Sequence, residues 1–259
     1  MVWRATTVDF ILTGKSGARY NEVALPTVLD IPPARRGLLN FRIFDTPVQV
    51  QPWFWLITLL LGWSQDFATT AIWVLVVFFS ILAHEFGHIA AYRLYGVPGA
   101  VLLYSWGGLA IPRREIRGTL ARIVVAFAGP LAGFCVAALT VAVAMNRGVE
   151  FQAGFRAFVI PSIVPVAYSR SYWMVALSDL LFVNIYWGLV NLLPVSPLDG
   201  SHVSRAILQA MSPAHWKKPW ALLSAAVALG IAALGFFSGN LYLGIMFVLL
   251  GIGSLQMLG

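Results

Sequence analysis

Charge is scarce in this 259-residue chain: Asp, Glu, Lys and Arg make up 10% of it, against 59% in the AVILMFWYC set and a mean hydropathy of +0.82. An ordinary soluble domain carries about 25% charged residues, and a chain with so few cannot cover a globule with water-compatible side chains. Cysteine is scarcer still. The lone Cys135 excludes an internal disulfide and leaves the redox compartment open. With 23 glycines, 14 prolines and no low-complexity tract, collagen-like and disordered readings fall as well. What remains is an all-α polytopic membrane protein. The net charge of +7 is therefore read first as membrane orientation, and no nucleic-acid partner is expected.

Apolar runs lie at 52–65, 71–92, 119–145, 172–193, 219–237 and 240–258. A span needs about 20 apolar residues, so about six transmembrane helices are expected, the first of them short. The last two, parted only by residues 238–240, read as a helix pair. The chain divides on this reading into a partly disordered cytosolic appendage (1–40), a core (41–205) and a C-terminal transmembrane helix pair (206–259). No signal-peptide pattern opens it. With a cytosolic N-terminus, 14 of the 17 Lys and Arg residues face inside, and only Arg147, Arg156 and Arg170 face outside. That bias predicts a multi-pass protein of the cell membrane with both termini cytosolic. Residues 97–112, β-rich and punctuated by glycine, predict a short membrane-associated hairpin. Residues 41–51 read as one extended segment, and 146–171 as an apolar loop on the outer face.

His84-Glu85-Phe86-Gly87-His88 is an H-E-x-x-H, with chance occurrence at this composition on the order of 1 in 500. On a helix, His at i and i+4 lie one above the other and share one metal. The Glu beside the first His then reaches a polarised water as general base. Residues 71–83, without a charge, precede the motif in the same helix. Ionisable groups are costly in a span and mark function there. Arg93 sets the cytosolic boundary five residues past His88, about 7–8 Å along the axis, which puts the motif in the cytosolic leaflet.

A catalytic zinc takes three protein ligands and keeps a position for water. Of the remaining candidates, Asp199 is the best placed, because Asn191-Leu-Leu-Pro-Val-Ser-Pro-Leu-Asp-Gly200 ends the fourth run on the same side as the histidines. The competing reading makes Asp199 a helix cap. Asn191 is placed to donate to a peptide carbonyl as charge develops there, with interhelical hydrogen bonding as the alternative. Asn184, seven residues earlier on the same helical face, reads as interhelical glue. Asp179 lies too far from the motif, His202 and His215 read as surface residues, and AGPLAG (128–133) reads as a close helix contact.

HEFGH in an apolar helix, Gly107-Gly108 in the hairpin, AGP at 128–130 and NLLPVSPLDG together resemble the site-2 protease family of intramembrane zinc metalloproteases, over about residues 42–205. The resemblance implies one Zn2+ per chain held by His84, His88 and Asp199, Glu85 as base, and Asn191 near the scissile carbonyl. It also implies that the Gly107-Gly108 hairpin receives an unwound substrate by strand-like pairing. The implied activity is regulated intramembrane proteolysis, with a transmembrane protein substrate, a regulatory membrane protein and the lipid bilayer as partners. Ser201 stands where members commonly carry a second Gly after Asp-Gly, and Gly133 where an Asn often follows AGP. The chain reads as a minimal core without PDZ or CBS domains. The rival readings are a catalytically silent, transmembrane-helix-binding pseudoprotease or chaperone, and a metal transporter.

Overall fold

The computed structural model describes residues 39–156, 160–165 and 171–258; the appendage expected before residue 39 lies outside them. The chain divides into two compact units, one of Leu38–Pro112 and Val124–Asn191, the other including Arg113–Ile123 and Leu192–Gly259.

In the first unit, strands β1 (Leu39–Ile43) and β2 (Thr46–Val50) form an antiparallel hairpin. Residues 41–51 are thus two strands with a turn, not one extended segment. Phe44 and Asp45 both have positive φ there, as a two-residue turn of the I′ kind requires. Helix α1 (Pro52–Leu61) and the 28-residue α2 (Phe67–Leu94) follow. Asp66 caps α2, accepting from the N–H groups of Ala68 and Thr69 at 3.3 and 3.1 Å. The expected hairpin is present as β3 (Gly99–Tyr104) and β4 (Gly107–Pro112). β2 pairs with β3 in parallel, so α1 and α2 form the crossover of one sheet ordered β1-β2-β3-β4.

Alternation decides which sheet face is covered. Val48, Val50, Val101 and Leu103 are buried with Phe54 of α1 and with Phe78, Ile81, Leu82 and Ile89 of α2. This core flanks the H-E-x-x-H on both sides in sequence. Arg93, at the last turn of α2, donates to the Phe44 carbonyl and, at 2.9 Å, to Thr46 Oγ1, tying the hairpin turn to the helix end.

Helix α3 (Thr119–Asn146) belongs to the first unit from Val124 onward. The stretch read as a loop after it contains a second hairpin, β5 (Phe151–Arg156) with β6 (Ile160–Pro165). Helix α4 runs from Tyr172 to Asn191 and is interrupted by a π-turn over Val183–Trp187.

In the second unit, the chain after Asn191 leads into α5 (Asp199–Met211), a helix the hydropathy pattern did not announce. Helices α6 (Lys217–Phe237) and α7 (Leu241–Gln256) pack as the expected pair. Their contact depends on small residues. A Cβ at Gly235 would lie 2.7 Å from Gly244 N, and one at Gly244 2.7 Å from Phe236 Cδ1.

Among the described residues four helices, α2, α3, α4 and α6, are long and apolar enough to cross a membrane. With 10 and 16 residues, α1 and α7 fall short of the six spans expected from hydropathy. Large apolar side chains such as Phe79, Leu131 and Leu234 stand exposed on the long helices, as lipid contact allows. Gly244→Val should lower stability by about 1–3 kcal/mol through overpacking, read as an earlier thermal melt in detergent.

Candidate metal centre

His84, Glu85 and His88 lie on α2 and are 4%, 5% and 6% exposed. Their i, i+4 spacing brings the two Nε2 atoms to 3.2 Å. His88 Nδ1 donates to the Val125 carbonyl of α3 at 2.7 Å, so its Nε2 carries the lone pair. A metal-binding imidazole is held in its tautomer in this way.

The backbone of α3 can come this close because Gly129 has no side chain. A Cβ at Gly129 would lie 2.5 Å from His88 Cε1 and 2.7 Å from His84 Nε2. Gly87 completes the crossing from the other helix, since its Cβ would lie 2.8 Å from Ala132 Cβ. The close helix contact read from AGPLAG is therefore also one wall of the histidine pair. That second role was not legible in composition, because it depends on which helix crosses α2.

Glu85 lies against the hairpin. A Cβ at Gly108 would be 2.7 Å from Glu85 Cδ, so Gly108 leaves room for this carboxylate. Gly107, at φ 128°, forms the turn, and its missing Cβ would meet Trp187 Cζ2 at 3.2 Å. Tyr104, across from Gly107 in the register, has its hydroxyl pKa pushed up to about 12 by burial and by the charge of Glu85. Its proximity to the carboxylate is a feature that sequence reasoning missed.

Asp199 is the first residue of α5. Leu198 holds the N-cap position, so Asp199 stands one residue inside the helix. The carboxylate stands in the first turn, where the helix dipole favours it. Gly200 is required beside it, because a Cβ there would come within 2.5 Å of the Leu193 carbonyl oxygen. The irregular backbone before α5 is anchored by hydroxyls: the Ser196 N–H donates to Ser224 Oγ at 2.8 Å, and Ser224 Oγ lies 2.7 Å from Ser254 Oγ.

The other singled-out residues are placed as follows. Asn184 donates to Ser80 Oγ at 2.8 Å and to the Leu180 carbonyl at 2.9 Å, which is the interhelical role read for it. It lies in the π-turn, so its phase to Asn191 departs from that of a regular helix. Asn191 is buried at the end of α4. Asp179 is half-buried on α4, twelve residues before Asn191, and His202 and His215 are exposed.

The donor set fits zinc. Two imidazole nitrogens on a tetrahedral zinc at about 2.0–2.1 Å sit roughly 3.3–3.4 Å apart, close to the 3.2 Å found here. With the carboxylate expected from Asp199 as a third ligand, such a set would leave a fourth position open.

A family model described as Peptidase family M50 matches residues 72–234. The chain belongs to peptidase family M50. This M50 chain is 32% identical over 211 residues to Rip3 of Mycobacterium tuberculosis, covering 76% of the chain and 49% of that relative. It is 26% identical over 172 residues to a zinc metalloprotease of Methanocaldococcus jannaschii, covering 65% of the chain and 44% of that relative. It thus spans about half the length of these curated relatives. Its fold is similar to that of the solved site-2 protease from Methanocaldococcus jannaschii, with a TM-score of 0.57 at 22% identity, covering 85% of this chain and 94% of that one. The family and the four apolar helices make it a multi-pass membrane protein, and the family implies zinc.

Gly129→Ala should weaken zinc binding by about 10–100-fold by displacing the imidazoles, with helical content retained. Metal titration beside circular dichroism measures both.

Proposed function

We propose that this M50 chain is a zinc-dependent intramembrane endopeptidase that hydrolyses a peptide bond in or near a transmembrane segment of a membrane-protein substrate. The observation that carries the reading is the buried histidine pair, with the Nε2 atoms of His84 and His88 3.2 Å apart and buried Glu85 next to His84 in the chain; Asp199, in the first turn of α5, is the third ligand on this reading. These three residues would hold one zinc ion per chain. Zinc, when bound, supplies Lewis acidity toward a peptide carbonyl and lets water lose a proton near neutral pH.

Glu85 takes the proton of the attacking water and delivers it to the leaving amine. Burial between α2 and the hairpin keeps this carboxylate in a fixed place. Asn191 donates to the carbonyl oxygen as negative charge grows on it. The substrate unwinds first, because a helical carbonyl is occupied by its own i+4 N–H. Residues with weak helix propensity lower that cost. Strand β4 supports the next step: it is an edge of its sheet among the described residues, and its Gly107-Gly108 end lies against Trp187 and Glu85. An extended segment added along β4 gains main-chain hydrogen bonds there.

The Lys and Arg distribution supports cytosolic termini and a site in the cytosolic leaflet of the cell membrane. A regulatory membrane protein is a further partner on this reading.

Glu85→Gln should keep about one zinc per chain and lose about 10²–10⁴-fold in cleavage of a transmembrane reporter in proteoliposomes. His84→Ala and Asp199→Ala should lose the metal itself. Cleavage at the wild-type rate in Glu85→Gln would remove the base assignment, and a zinc-free wild type would favour the silent helix-binding reading.

A further inference from the structure

Ser201, Arg205 and Gln209 recur at i, i+4 and i+8 and so share one face of α5. Each is engaged by a neighbour within the second unit, Ser201 and Arg205 by the same indole, that of Trp220. The Ser201 carbonyl accepts from Trp220 Nε1 at 3.0 Å. The Arg205 guanidinium lies over the rings of Trp216 and Trp220, 4.9 and 5.9 Å from their centroids. Gln209 Oε1 accepts from Arg122 Nη1. The consequence is that Arg122 reaches α5 one helical turn from Arg205.

Nothing in this arrangement neutralises them fully. Arg205 Nε is buried and has no hydrogen-bond partner among the described residues. The Arg205 pKa is lowered by burial and by the like charge of Arg122, with Glu115 as the single opposing carboxylate. With two cations against one carboxylate, the Arg205 guanidinium, stacked on two indoles, keeps a buried Nε–H without an acceptor among the described residues. Guanidinium forks match phosphate oxygens in bidentate fashion.

The position of the cluster points to the source of the anion. Trp216 and Trp220 flank the start of α6, one of the helices long enough to span a membrane, and tryptophan there marks the headgroup level. At the same helix end His215, Lys217 and Lys218 line a cavity of about 630 Å³ whose wall includes Leu222. Basic clusters at helix ends attract acidic lipid headgroups.

We propose that Arg205, on its tryptophan platform, and Arg122 form a binding site for a phosphate group, supplied by an acidic phospholipid headgroup or by free inorganic phosphate. The site is independent of the metal centre and of the protease reading.

The test is the thermal melt of the full chain in detergent micelles containing phosphatidylcholine. Phosphatidylglycerol or inorganic phosphate is added at equal phosphate concentration. A ligand that binds only the folded state raises Tm. The expected result is a rise of several degrees with phosphatidylglycerol, cut by at least half in both Arg205→Gln and Arg122→Gln, with Arg147→Gln, an exposed arginine outside the cluster, keeping it. An equal, arginine-dependent rise with inorganic phosphate alone would support the site and name the soluble anion as its ligand. Should Arg205→Gln fail to fold, Arg205→Lys keeps the charge and removes the fork, and the same loss is expected. No rise with either anion, or a rise untouched by the arginine variants, overturns the proposal.

Discussion

Where α3 crosses α2 there is room for a pair of imidazoles and little else. Gly87 and Gly129 let the two backbones approach, and the Val125 carbonyl takes the outer proton of His88. The pair's Nε2 atoms lie 3.2 Å apart because that crossing confines them. A side chain at Gly129 would fill the space between the rings. The histidine pair therefore depends on a contact between two apolar helices that carries no chemistry of its own.

Polar groups elsewhere in the apolar interior are handled with neutral side chains. Asn184 is tied to Ser80, one turn before His84, and this bond spans from the π-turn of α4 to α2. In the second unit, Ser224 links the Ser196 N–H to Ser254, which in turn donates to the Leu250 carbonyl at 2.8 Å. Neutral hydrogen bonds of this kind hold irregular backbone in place without the desolvation cost of a buried charge. Charge inside the long helices is thereby largely reserved for the histidine–glutamate cluster and Asp179.

Much of the site was legible because its pieces obey short-range rules. His84 and His88 fall on one face by helical periodicity, and the prolines before Asp199 end α4 where hydropathy ends. The 97–112 hairpin showed itself through glycine and β-branched residues. What escaped has equally physical reasons. The β1–β2 turn uses Phe44 and Asp45 at positive φ, without the glycine or asparagine that normally signals it. β5 and β6 lie in an apolar, proline-bearing stretch with no clear alternation. α5 opens on Gly200, Ser201 and His202, none a strong helix former, and is held in part by Trp220. The roles of Gly129 and Gly108 follow from tertiary approach, which no local pattern encodes.

The six residues of β4 impose a length on anything that pairs along their whole edge. Six residues measure about 9 Å as a helix and about 20 Å as a strand. A guest helix that unwinds over this stretch grows by about 11 Å, more than a third of a hydrocarbon core about 30 Å thick. Its remaining helix must slide toward the far face, tilt or shorten to accommodate that extension. On the proposed reading, bilayer thickness and the guest's own hydrophobic length would then enter its selection as directly as its sequence does, and a membrane a few ångströms thinner or thicker would become part of the specificity.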